Sequence, residues 1–268
     1  MYAIILAAGR GMRLYGGDRA STPKCMENIN GISIIHYQIR NCLSCGINRF
    51  IIVVGYKKDI LESHILEVLK QEQVIFIENE RFAETNTLYS LWLTHDHMKE
   101  SFIYFNADVL FHPELLKKLY ERRFQNVSTL LIEKKAVGEE EVKVICQNRS
   151  GDFQSPCRGV ARNELHPIRS GDFQSPPYSK ITRINKQIDP SVAEGEFIGI
   201  GMFVHTDSDI FIESLKQGID EGQHNNYFEW AVDLMCSQTE LRAIYTDGLP
   251  CIEIDFPEDL VRAKEMFK

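Results

Sequence analysis

The sequence predicts an α/β protein with a mixed, mostly parallel central sheet and a small antiparallel addition, and three observations carry that expectation. Short, continuous Ile/Val-rich runs recur from the N-terminus onward, as expected of strands buried on both faces. Between them lie segments with apolar residues three and four apart, long enough to cross from one parallel strand to the next. Beyond Val127 the runs crowd together, which suggests mixed or antiparallel pairing there.

In chain order, Tyr2–Leu6 reads as a buried strand followed by a glycine-rich loop. Ile34–Cys45 is a helix with Ile34, Ile35, Tyr37, Ile39 and Leu43 on its apolar side, stopped at Gly46. Phe50–Val54 is a second strand, Ile60–Leu69 a helix, Val74–Ile77 a strand and Thr87–His95 a helix. Phe102–Phe105 and Glu114–Tyr120 repeat the alternation. The later strands are Thr129–Ile132, Val142–Ile145, Ile181–Ile184 and Ile198–Val204. Helices Asp207–Leu215 and Tyr227–Cys236, a strand Ile252–Ile254 and a helix Pro257–Phe267 close the chain.

One segment breaks this order. The octapeptide Arg-Ser-Gly-Asp-Phe-Gln-Ser-Pro occurs at Arg149–Pro156 and again, identically, at Arg169–Pro176. Two copies are too few for a solenoid. The stretch 149–178 is rich in Gly, Pro, Ser, Arg and Asn without periodicity, so it reads as a loop inserted at a hairpin tip. Residues 1–268 otherwise read as a single domain.

Thirty Lys and Arg against 38 Asp and Glu give a formal charge of −8. A net acidic chain lacks the broad positive field that nucleic-acid binding requires, so an anionic ligand must be held by local donors. No apolar run approaches the roughly 18 residues of a membrane span. Seven cysteines at scattered spacings do not form a secreted disulfide framework. Cys42 and Cys45 form a CxxC without a second pair, and read as thiols on a helix. The chain is expected to be cytoplasmic.

The chemistry concentrates in Leu6-Ala7-Ala8-Gly9-Arg10-Gly11-Met12-Arg13-Leu14, directly after the first strand, with Pro23-Lys24 about ten residues further on. Small residues and two close glycines let backbone N–H groups approach a phosphate chain. Arg13 and Lys24 supply the positive charge that the rest of the chain lacks. A Rossmann fingerprint would need a third glycine opening a helix, and a P-loop a Gly-Lys-Ser/Thr; neither is present.

LAAGxGxRL with the downstream Pro-Lys resembles the nucleotidyltransferases that activate sugar phosphates and small phosphorylated alcohols. The resemblance covers everything outside 149–178. The blocks Glu84–Trp92, Glu139–Val144, Gly195–Ile200 and His224–Glu229 are similar to the choline-phosphate and 2-aminoethylphosphonate cytidylyltransferases within that superfamily. The resemblance implies a Rossmann-like three-layer nucleotidyltransferase fold. It implies transfer of CMP from CTP to a small amine-bearing phosphonate or phosphate, with pyrophosphate released. Of the acceptors, 2-aminoethylphosphonate is favoured and phosphocholine is next.

That reaction brings two anions together and needs hard-oxygen ligands for Mg²⁺. Asp108 and Asp255, each at a strand end, are the metal pair that the resemblance implies; the alternative for Asp255 is an N-cap of the closing helix. Lys24 and Arg13 would neutralise the triphosphate and the reacting phosphoryl group. Leu6, Ala7, Ala8, Gly9 and Gly11, with Asn86, Ser90 and Asn106, would hold the nucleotide. For the acceptor, Tyr227, Glu229 and Trp230 place aromatics beside a carboxylate, with Asp233 one helical turn later. Lys143 is the candidate for its phosphate or phosphonate, and Glu196 for its amine. Two alternatives stay open: a sugar-1-phosphate nucleotidyltransferase, and a nucleotide-binding regulatory protein without catalysis. The residues also leave open a homo-oligomer or fusion to a second enzyme domain.

Overall fold

Strand β1 (Tyr2–Leu6) shows how the sheet is covered on both sides. Ala3 and Ile5 point into one apolar cluster and Ile4 and Leu6 into another, all nearly or fully buried. Period-two alternation between two cores is what a strand in the middle of three layers requires. A computed structural model describes residues 1–17, 22–148 and 179–268. Both copies of the repeated octapeptide and the whole of the expected insertion lie outside them.

β4 (Phe50–Val54) and β6 (Phe102–Asn106) flank β1, both parallel to it, and β5 (Val74–Glu78) adds a parallel edge beyond β4. On the other side of β6 come β11 (Gly195–Phe203), β8 (Ser128–Glu133), β12 (Leu241–Tyr245), β10 (Ser179–Asn185) and β9 (Lys143–Asn148). β11 is antiparallel to both β6 and β8, while β12 runs parallel to β8. The result is the parallel core with antiparallel additions that the spacing of the apolar runs implies. Two small pairs complete the strands: β2 (Asn28–Ile29) with β3 (Ile32–Ser33), and β7 (Val109–Phe111) with β13 (Cys251–Glu253).

Helices α2 (Ile34–Ser44), α3 (Lys58–Ile65) and α5 (Pro113–Glu121) bury their apolar stripes in the first cluster, through Ile35, Ile39, Leu61, Ile65, Leu115 and Leu119. Helices α4 (Thr87–Trp92), α6 (Ser208–Asp220) and α7 (Glu229–Met235) cover the opposite face through Leu88, Leu91, Phe211, Leu215 and Val232. The short α1 (Met12–Tyr15) and the closing α8 (Pro257–Met266) pack over a third, smaller cluster. α3 is shorter than the periodicity suggests, because the chain tightens into turns between Leu66 and Leu69. Cys42 is buried in α2 and Cys45 follows at its end; both are free thiols, their ionisation opposed by burial.

The hairpin expected around 149–178 is formed by β9 and β10, with Asn148 directly opposite Ser179. Opposed residues need two linking residues in a tight turn. Replacing 149–178 by Asn-Gly should therefore preserve folding and keep kcat within a few-fold, since shortening a loop changes closure entropy little. A collapse of solubility or activity in that variant would show that the segment is structural.

Candidate active site

The carboxyl ends of β1 and β6 open into a cleft of about 370 Å³, lined by Leu6–Arg13, Lys24, Asn79, Phe82, Thr85–Thr87, Ser90, Asn106–Asp108, Tyr227, Glu229, Glu253 and Asp255. Ligand sites of parallel sheets lie at this end because the loops there are free to vary while the strands stay fixed.

The glycine loop forms one wall. Gly11 has φ +66°, and a Cβ there would lie 3.0 Å from Lys24 Cβ and 3.2 Å from the Tyr15 ring. Only glycine lets the loop press so closely on the lysine. Tyr15 donates to Glu27 Oε1 at 2.6 Å, tying the helical turn that bears Arg13 to the segment after Lys24.

Lys24 is the centre of an ion cluster. Its Nζ lies 2.5 Å from Asp108 Oδ2 and 2.9 Å from Asp255 Oδ1, while Arg13 Nη2 lies 3.0 Å from Asp255 Oδ2. Burial disfavours the Lys24 charge, but Asp108 and Asp255 outweigh it and hold the ammonium protonated well above its usual range. Asp108 and Asp255 are held together by backbone, since Ile254 N–H donates to the Asp108 carbonyl at 3.0 Å. From behind, the fully buried Gln38 donates to the carbonyls of Asn106 and Val109, both at 2.8 Å, fixing the turn that presents Asp108.

Asp255 is not the cap of α8. Asp259 accepts from the N–H groups of Asp255 and Phe256, which leaves the Asp255 carboxylate for the cleft. Glu253 joins as a third carboxylate that the sequence reading passed over. Carboxylate oxygens of Asp108, Glu253 and Asp255 all lie within 4.8 Å of one another. The protein around Glu253, then the charges of Asp108 and Asp255, push its carboxyl upward. Glu253 and Asp255 are two residues apart at a strand end, so extended backbone points them the same way; that spacing was the available signal. Asp108 Oδ1 is buried without a hydrogen-bond partner. A convergent set of hard oxygens, one of them unpartnered, suits a small divalent cation.

The second wall is α4 and the loop before it. Asn86 caps α4 by accepting from Thr87 N–H at 2.9 Å. Buried Asn79 donates to both Thr85 Oγ1 and Ser90 Oγ at 3.0 Å, anchoring the turn between them. Asn106 accepts from the Tyr104 hydroxyl, and its amide lies against Gly199. With φ +74° and a Cβ that would sit 2.8 Å from Asn106 Nδ2, Gly199 cannot be replaced without strain. Gly199→Ala should cost about 1–3 kcal/mol in denaturant melts and should also lower turnover by displacing Asn106.

Glu229, the first residue of α7, also lines the cleft. It is 5% exposed, its Oε2 has no partner, and burial pushes its carboxyl up to about 7. An unsatisfied buried carboxylate is costly, and it marks a place where a ligand donor belongs. Tyr227 lines the cleft beside it.

Four expected acceptor residues do not join the cleft lining. Lys143 is buried with its Nζ donating to the carbonyls of Gly138, Glu139 and Glu141 at 2.9–3.2 Å, so its charge is spent on backbone. Glu196 pairs with Lys135 at 2.5 Å outside the cleft lining. Trp230 turns away, packing with Leu88 where a Cβ on Gly218 would fall. Asp233 is clamped by Arg183 and accepts from Ile184 N–H.

A family model described as the MobA-like NTP transferase domain matches residues 3–169. The chain belongs to this nucleotidyltransferase family. The transferase is 25% identical to the CTP:phosphoglutamine cytidylyltransferase of Campylobacter jejuni over 97% of this chain and 98% of that protein. It is 38% identical to the choline-phosphate cytidylyltransferase of Streptococcus pneumoniae over 38% of this chain and 43% of that one. It is 32% identical to the 2-aminoethylphosphonate cytidylyltransferase of Lancefieldella rimae, over 37% and 38%. The solved inositol-1-phosphate CTP transferase of T. maritima superposes with a TM-score of 0.72 at 20% identity, covering 100% of this chain and 96% of that one. The family resemblance carried by the glycine loop and Pro23-Lys24, and the expected fold, are thereby borne out. Among the described residues of the transferase, no helix is long and apolar enough to cross a membrane.

Proposed function

We propose that the protein transfers CMP from CTP to a small acceptor that carries both an ammonium group and a phosphate or phosphonate, releasing pyrophosphate. The observation that carries the acceptor class is Glu229, a buried carboxylate with an unpartnered oxygen that lines the cleft. The cytidine preference rests on the names of the relatives. Three of the curated relatives are named for an acceptor that, by elementary chemistry, carries a cationic nitrogen, namely phosphoglutamine, choline-phosphate and 2-aminoethylphosphonate, while another is named for glucose-1-phosphate.

In this reading Mg²⁺ would be held by Asp108, Glu253 and Asp255, and would supply charge neutralisation for the triphosphate when bound. The remaining work falls to the chain. The glycine loop from Leu6 to Gly11 offers close backbone to the nucleotide, with Asn86, Ser90 and Asn106 as polar contacts along the same cleft. Lys24 and Arg13 balance negative charge as the acceptor oxygen forms its bond to the α-phosphorus and the bond to pyrophosphate breaks. The attacking oxygen is already ionised at neutral pH, so no general base is required.

Glu229 compensates the acceptor's ammonium and fixes which end faces the nucleotide. A carboxylate serves a primary ammonium directly, whereas a quaternary one wants an aromatic cage. Of the two aromatics expected beside Glu229, Tyr227 lines the cleft and Trp230 packs away from it, so no closed cage supports a quaternary ammonium in this reading. Primary amines, of which 2-aminoethylphosphonate is the simplest member, therefore rank above phosphocholine. A pyrophosphate-release assay with CTP, UTP, ATP and GTP against these acceptors and glucose-1-phosphate tests the proposal. Turnover of CTP with an amine acceptor supports it. Turnover with glucose-1-phosphate alone would replace it by the sugar reading.

A further inference from the structure

Lys186, just outside the residues that line the cleft, rests on the ring of Tyr227, two residues before Glu229. Lys186 follows directly after β10, and its Nζ lies 4.3 Å from the centroid of the Tyr227 ring. Tyr227 and Glu229, two residues on, both line the cleft, and the Glu229 Oε2 has no partner. Among the described residues no carboxylate pairs with Lys186, although the neighbouring Arg183 is held by three hydrogen bonds to Asp233. An ammonium resting on a ring face is weakly held and easily redirected to a better partner. Lys186 is also close enough to Glu229 to oppose, by its charge, the effect of burial on that carboxyl.

This pair constrains what can bind. A ligand with a lone ammonium would satisfy Glu229, yet it would sit near the half-buried Lys186 charge with nothing to offset the repulsion. A ligand that brings an ammonium and a carboxylate together leaves both side chains matched. We propose that the acceptor ends in an α-amino-acid head, its ammonium on Glu229 and its carboxylate on Lys186, with the phosphate or phosphonate at the other end facing the nucleotide. The proposal rests on the amine-acceptor reading and narrows it from amines to zwitterions.

Two matched pairs of acceptors isolate the carboxylate. O-Phosphoserine and O-phosphoethanolamine differ only by it, as do 2-amino-3-phosphonopropionate and 2-aminoethylphosphonate. Pyrophosphate release with CTP and Mg²⁺ gives kcat/KM for each. The carboxylated member should be favoured about tenfold or more in at least one pair, the scale of a charge-assisted hydrogen bond. In Lys186→Gln that ratio should fall to about one or below, and Lys186→Arg should keep it above one. A merely structural role for Lys186 would depress both members alike and leave the ratio intact, which would overturn the proposal. A wild-type ratio at or below one in both pairs, with turnover still dependent on Glu229, would overturn the zwitterion and leave the amine reading standing. Turnover confined to acceptors without an ammonium group would overturn both.

Discussion

Asp108→Asn and Asp255→Asn should each lower kcat by at least about a hundredfold while the chain stays folded, the scale of losing a key electrostatic group. Both residues contact Lys24, and Asp255 also contacts Arg13. Each substitution removes a hard-oxygen ligand from the cluster and a counter-charge from the cations. Glu253→Gln should fall in the same class, because its oxygen converges on the same point. Lys24→Ala should be equally inactive but distinguishable by melting. Without the ammonium, the three carboxylates face one another with only the Arg13 contact to Asp255 to offset them, so the variant should melt lower than wild type without metal. Mg²⁺ should raise its Tm more than that of wild type, where the cation must first draw carboxylates away from Lys24. Near-normal turnover in Asp108→Asn, or an equal Mg²⁺ shift in Tm for Lys24→Ala and wild type, would remove the metal assignment.

Glu229→Gln should raise the acceptor KM by roughly 1–3 kcal/mol of lost charge-assisted hydrogen bonding, with CTP binding nearly unchanged. An unaltered acceptor KM would dispose of the amine pocket. The carboxyl of Glu229 is pushed up to about 7 by burial, so the acceptor KM should also rise as pH falls through 7 and the carboxylate is protonated. Stability runs the other way. Folded Glu229 keeps a proton that the unfolded chain has already released between the ordinary carboxylate range and about pH 7, so this residue's contribution to stability falls as pH rises through that window. Glu229→Gln should consequently melt higher than the wild type at pH 8, by roughly 5 °C, with the gap narrowing toward pH 5. A variant less stable than wild type at pH 8 would show that Glu229 is satisfied by the fold itself.

The core strands and most helices were legible because their apolar periods are strong and the buried faces leave little choice of register. Leu241–Tyr245 was not read, although it lies between β8 and β10; five residues with an arginine among them carry a faint signal. The two-residue strands β2 and β3, and Val109–Phe111, are too short for any periodicity to show. At the site, loop residues next to a strand end were readable because the sheet dictates where they go. Acceptor residues on α7 were harder. Glu229 and Trp230 are adjacent, and helical neighbours diverge by about 100°, so they cannot both face the cleft. Glu229 and Asp233 do share a face by spacing, but Arg183, fifty positions away from Asp233, claims the latter. Lys143 had charge and position in its favour, and lost its role to three backbone carbonyls that no local pattern discloses.

The contact between Lys24 and Asp255 spans 231 positions of chain, and it orders the assembly of the site in time. Closing so long a loop costs about 5 kcal/mol in chain entropy by the logarithmic rule, so it must follow formation of the sheet. Until β13 docks on β7, Lys24 and Asp108 form a neutral couple: one cation, one anion, and no surplus charge to draw a divalent ion. Docking brings Glu253 and Asp255 together, and with them the negative excess. A growing chain on the ribosome would thus carry its glycine loop and Lys24 for most of synthesis as an inert surface. The proposed Mg²⁺ site would be complete only when those two acids arrive.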